Sequence, residues 1–261
     1  IEIATGDLFN WLDSDDYYNP RTFYTIAKIF TQNQSTNSVS GRYQYFTSDD
    51  SLDEIIPKIK LESSVGKMMI GQFVLPPPFF KTECIRRMAP FHTILKYTGN
   101  IEFWQKYFLM YGIEKIISIE DILVNSKNHE KLKSEVKKDT LFRDHDSLPA
   151  IELNSIFYSI ATKNNFHNES EIIKGLSSSL IDDYTFDFDF GRYDPSSAKL
   201  IIDNYLFIHA MIFYEKGLFN KSRNLFRCIE SNSLEKEDKN LFLKCYLKSF
   251  FPAIINFKRK F

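Results

Sequence analysis

Lys199–Ser231, KLIIDNYLFIHAMIFYEKGLFNKSRNLFRCIES, is the stretch whose reading decides the rest of the chain. Ile202, Leu206, Ala210 and Phe213 recur at the three-and-four spacing of one helix face, and Phe219, Ser222, Phe226 and Ile229 repeat the pattern after a break. Between the two runs, Glu215–Lys216–Gly217 supplies a turn, because glycine takes a positive φ without steric penalty. Ala210 and Ser222 are small residues facing each other across that turn, so the spacing predicts two helices that approach closely there.

This spacing is that of a tetratricopeptide-type helical hairpin. Extended outward, it predicts an all-α chain of stacked antiparallel helical pairs, a tetratricopeptide-like α-solenoid without any sheet of more than two strands. The composition agrees. The 261 residues are 43% hydrophobic and 16% aromatic, with 25 Phe and 14 Tyr against 9 Gly and 9 Pro. Such a chain can bury a sizeable core, and scarce turn formers favour long helices over many short strands.

Net charge is −1, which gives no general attraction for nucleic acid or anionic lipid. No apolar run is long enough to span a bilayer. Cys84, Cys228 and Cys245 are widely spaced in apolar contexts, and are expected as free thiols in a reducing compartment. The start, IEIATGDLF, has neither Met nor a signal-peptide pattern, and is expected to belong to a piece of something larger.

Three segments follow. Residues 1–124 are expected as N-terminal helical repeats. They hold a short helix around Leu8, Phe9, Trp11 and Leu12, a helix from Pro20 to about Gln32, and its degenerate partner through Arg42–Phe46. Asp49–Lys60 reads as a helix interrupted by Pro57, Phe79–Ala89 as a fresh helix after Pro76–Pro77–Pro78, Phe91–Tyr97 with Ile101–Tyr111 as a pair, and Ile113–Val124 as an apolar helix. Residues 125–198 are expected as a helical insertion. It opens with a charged loop carrying Lys127, Lys131, Lys133, Lys137 and Lys138, which has no interleaved aromatics for base stacking. It continues with helices over Ile151–Thr162 and Glu169–Leu180. It closes with Asp183, Tyr184, Phe186, Asp187, Phe188, Asp189 and Phe190, whose alternation predicts an extended segment. That segment reads as an ordered linker, as a strip that docks on a partner, or as a set of acids for a metal. Residues 199–261 are the hairpin and a last helix, Glu235 to about Phe251.

Catalytic patterns are missing. His92, His129, His145, His167 and His209 lie far apart, and no HExxH or CxxC spacing, nucleophile elbow or phosphate loop occurs. His209 sits inside the hairpin as a core histidine. Asp144–His145–Asp146 are adjacent and cannot converge on one substrate atom. No cofactor or metal site is expected.

Two resemblances bear on function. Thr140–Leu141–Phe142–Arg143 resembles the arginine-finger segment of Ras GTPase-activating domains, with Tyr246–Leu247–Lys248 and Pro252–Ala253–Ile254 similar to that family's second motif. This alternative implies that Arg143 stabilises a transferring phosphoryl group. It departs from the family at Lys248, where Arg is usual. More of the chain resembles the C-terminal helical-repeat region of subunit 8 of the Integrator complex. The matching residues are Phe23–Phe30, Thr31–Gln34, Tyr43, Tyr45 and Phe46, then Leu75–Pro77, Ile85–Met88 and Leu95, and finally Asp203–Phe219 and Lys258–Phe261. The segment from about Gly112 to Ala198 is longer than the family pattern.

This resemblance implies a non-enzymatic scaffold in the nucleus. Its assembly processes small nuclear RNA 3′ ends, terminates RNA polymerase II transcription and tethers a protein phosphatase 2A module. Its partners would be other protein subunits, with neither membrane nor direct nucleic acid. The residues expected to meet them are Arg86, Arg87, Phe186, Phe188 and Phe190. Another tetratricopeptide-like adaptor is the remaining alternative.

Overall fold

The computed structural model describes residues 3–46, 52–56, 78–89, 91–127, 144–182, 184–186, 195–234 and 236–250. The chain divides into two units, one of residues 1–91 with 106–135, the other of residues 92–105 with 136–261. In the first unit lie β1 (Leu8–Phe9), β2 (Tyr17–Tyr18), α1 (Thr22–Gln32), β3 (Ser38–Phe46), β4 (Leu52–Ile56), β5 (Phe79–Lys81) and α2 (Thr82–Met88). Helix α3 (Gly99–Tyr111) is divided between the units at residue 105, and β6 (Ile116–Lys127) completes the first.

The solenoid expectation is overturned here, because the first unit is built on a six-stranded mixed sheet. Its order is β1-β5-β3-β6-β2, with β4 also on β3. Strand β3 is the centre. It runs parallel to β6 from Ser38↔Ile116 to Phe46↔Lys127. Its other edge is shared by β5, antiparallel at Ser38 and Val39, and β4, antiparallel at Tyr43, Gln44 and Phe46. The fold class is therefore mixed α/β rather than all-α.

The physical reason lies in residue type. SVSGRYQYF and IISIEDILVNSK are rich in β-branched and aromatic side chains, which lose rotamer freedom in a helix and pack well on a pleated surface. Arg42–Phe46, expected as a helix, is therefore part of β3, and Ile113–Val124 becomes a single 3-10 turn (Ile113–Lys115) followed by β6. Likewise Leu8–Phe9 and Leu52–Ile56 are strands, not helices. Gly41 is required where β3 and β6 shift register, since a Cβ there would stand 2.4 Å from Leu123 Cγ and 2.7 Å from the Asp121 carbonyl. Helix α1 agrees with its sequence reading. It lays Ile26 and Phe30 on Val39, Phe79, Leu123 and Val124 to form this unit's core.

The second unit is helical. Beside the first half of α3 it holds α4 (Leu148–Lys163), α5 (His167–Lys174), α6 (Pro195–Glu215), α7 (Phe219–Cys228) and α8 (Lys236–Ser249). Helix α6 runs through its centre, with Ile201, Ile202, Tyr205, Leu206 and Ala210 all buried. Tyr205 stacks on Phe157 of α4 with ring centroids 3.9 Å apart, and its hydroxyl bonds the Asn154 amide oxygen. Helices α6 and α7 form the hairpin that the opening stretch predicts. Gly217 takes φ 76°, and Leu218 N–H reaches back to the Phe213 carbonyl at 2.8 Å, closing the helix end. Lys199 ties three elements together, donating to Asp203, to Glu169 of α5 and to the Cys228 carbonyl.

Candidate functional site

Helix α8 is one of the described elements that leave large apolar side chains in water. Phe242, Cys245 and Ser249 are its buried residues, at i, i+3 and i+7. Phe226 of α7 meets the Phe242 and Tyr246 rings edge-on, and Tyr246 meets Phe250 the same way, so an aromatic ladder fixes how α8 sits on α7. Leu243 and Leu247 recur at i and i+4 on a second face, and Phe250 follows three residues later in the turn that ends the helix. They are 51%, 61% and 39% exposed. The guanidinium of Arg223 lies 4.8 Å from the centre of the Phe250 ring. Lys244 and Lys248 are exposed on the flank next to Leu247. The result is an apolar ridge on an aromatic backing with a basic rim.

A second constellation lies around α3 and α4. Glu102, fully buried, accepts from His92 Nδ1 at 2.5 Å and from the Tyr184 hydroxyl at 3.1 Å. The His92 side chain is 23% exposed and packs edge-on against the Tyr184 ring. Burial and the Glu102 charge both push the Tyr184 phenol upward, so it stays a proton donor. One helix away, Glu152 accepts the Lys96, Tyr97 and Thr98 amides and the Thr98 hydroxyl at 2.8–3.1 Å. Both carboxylates anchor residues 92–98 ahead of α3. A buried carboxylate is retained when its lone pairs are filled, as they are here.

His145 and His209 face each other with ring centroids 5.2 Å apart and an interplanar angle of 34°. Burial pushes the His209 imidazole down to about 3, and lowers His145 as well. Both are neutral at ordinary pH. Asp146 turns elsewhere, accepting the Ser178 amide at 2.9 Å, so Asp144–His145–Asp146 are not gathered on one point. Among the described residues no group of three or more His, Cys, Asp and Glu side chains is placed to hold a metal, and no helix is long and apolar enough to cross a membrane. All three cysteines are free, Cys84 and Cys245 buried and Cys228 half-buried.

The residues singled out for partners have different fates. Arg86 is exposed on α2 and donates to the Ala4 carbonyl. Beside it, Thr5, Gly6, Phe30, Lys81 and Thr82 help line an open cleft of about 660 Å³. Arg87 stands 3.9 Å from Glu83 one turn earlier, an exposed pair. Phe186 is fully buried, and its amide donates to the Ser159 hydroxyl at 2.8 Å. It belongs to the core of its unit. Phe188, Phe190, Asp187, Asp189 and Arg143 lie outside the described residues. The Leu243–Leu247–Phe250 ridge was missed by sequence reasoning. The signal for it was a surplus: α8 carries more large apolar residues than one buried face holds.

A scan against protein-family models found no match to this chain, and a search of curated proteins found none either.

Proposed function

We propose that this chain is a non-enzymatic protein-interaction subunit that docks a partner on the outer face of α8. The observation that carries this reading is the exposed ridge of Leu243, Leu247 and Phe250. Contiguous apolar side chains left in water mark interaction surfaces, and anchors at i, i+4 and i+7 are how one helix is read by another. The backing supports the role, because Phe242, Tyr246 and Phe226 hold α8 in place before any partner arrives.

The assembly to be tested first is the Integrator complex, with a nuclear location. Leu75–Pro77, Ile85–Met88 and Leu95 carry that resemblance most specifically, and Asp203–Phe219 with the basic end Lys258–Phe261 resemble the family's final repeats. The residues Tyr43, Tyr45 and Phe46 no longer contribute a helical repeat to it, since they lie on β3. The test is affinity purification of the full-length parent, wild type against Leu247→Lys, with mass spectrometry of what is retained. Integrator subunits held by the wild type and lost by the variant are the expected result. A wild-type purification without them overturns the assembly. Retention unaffected by Leu247→Lys overturns the α8 surface.

A further inference from the structure

Building on that reading, we infer that the segment seated on α8 is an amphipathic helix with acidic flanks. Three observations converge. The ridge is one helix face wide and about two turns long, which fits a helix better than a broad protein surface. The charges around its C-terminal half are cationic: Lys244 and Lys248 are exposed on the flank beside Leu247, and Arg223 covers the Phe250 ring. The acids of α8, Glu237 and Asp238, stand in its first turn, beyond the ridge.

A second copy of this chain is a poor occupant. A two-fold pairing brings the same patch onto itself. Centred on the ridge in antiparallel fashion, it would set the Lys244–Lys248 flank against its own copy, and like charges so placed repel. A partner with Glu or Asp along its flanks meets those lysines with opposite charge and leaves its apolar residues free for Leu243, Leu247 and Phe250. Rim charges of this kind set specificity and on-rate and weaken with salt.

The experiment has two arms. In the first, the purified chain is titrated into a fluorescent peptide of about 18 residues, long enough to hold a helix, with a leucine ridge and glutamate flanks. An otherwise identical peptide with lysine flanks is the control. Binding of the acidic peptide that falls at least about tenfold in the Lys244→Glu/Lys248→Glu variant and weakens with added salt supports the inference. No binding, or equal binding of the basic peptide, overturns it. Sedimentation showing a dimer that Leu247→Lys dissolves also overturns it. Circular dichroism and melting of each variant keep loss of fold apart from loss of binding.

The second arm repeats the cellular purification with the charge-reversal variant. Partners lost with Leu247→Lys but kept by Lys244→Glu/Lys248→Glu overturn the acidic-helix inference and leave the interaction reading standing. Partners kept by both variants overturn the two together.

Discussion

Ser222 and Ala210 meet across the α6–α7 hairpin, where the serine hydroxyl donates to the alanine carbonyl at 2.8 Å and both residues are fully buried. Two helices can come this close only where side chains are small. Ala210→Leu forces a leucine into the contact, and overpacking of this kind costs about 1–3 kcal/mol. Ser222→Ala keeps the space and loses the hydrogen bond, about 1 kcal/mol. Asn224→Ala, on the exposed side of α7, is the control and should stay within about 0.5 kcal/mol. Urea unfolding midpoints rank the three. Equal shifts would refute the close crossing.

Acid should destabilise the helical unit through His209. Its folded pKa is depressed to about 3 by burial. Above the unfolded value, near 6.5, both states are neutral and the stability is complete. As pH falls below it the unfolded chain takes the proton first, and stability is lost progressively down to the folded pKa. The loss reaches about 2 kcal/mol by pH 5, and His145 shifts in the same direction. His209→Leu should flatten the difference between urea midpoints measured at about pH 7.5 and about pH 5. An unchanged slope in that variant would remove His209 as its source.

Gly41 is the expected weak point of the sheet. Gly41→Ala drives a Cβ against Leu123 and the Asp121 carbonyl. The leucine can turn aside; the backbone cannot. A loss of about 1–3 kcal/mol is expected, and Leu123→Ala in the same chain should not restore it. Full rescue by that second change would place the clash in the side chain alone.

Glu152 holds three amides and a hydroxyl ahead of α3. Glu152→Ala leaves those donors without their acceptor and should cost about 2–4 kcal/mol, as expected for several hydrogen bonds to a charge. Hydrogen exchange at Lys96, Tyr97 and Thr98 is the specific readout. Protection that persists in the variant would show that the segment is held by something else.

The α6–α7 hairpin was legible because the apolar run of α6 is long and its pairing with α7 closes over a short turn. The spacing of Ile202, Leu206, Ala210 and Phe213 predicts one buried face, and all four are buried. The sheet was not legible, for two reasons. Ile116, Ile119 and Leu123 recur at a helical spacing, so periodicity alone misleads there; the run of β-branched residues was the better guide. Pairing such as Ser38 with Ile116 joins residues that nothing local connects. Phe186 shows the converse at the level of sites: alternation with acids suggests a docking strip, yet the side chain is core. The His92–Glu102–Tyr184 set had no local signature, because Tyr184 is 82 residues from its carboxylate.

The parallel pairing of β3 with β6 carries a kinetic consequence. Its partners are separated by the whole of β4, β5, α2 and α3, so a long loop must close before the central ladder forms, and that closure is entropically expensive. The hairpin of α6 and α7, by contrast, closes over a few residues. During synthesis β3 emerges long before β6, and until Ile116–Lys127 leaves the ribosome one side of β3 has no strand from this pairing. Refolding should therefore show a fast helical phase followed by a slower one in which the sheet's aromatic signals appear.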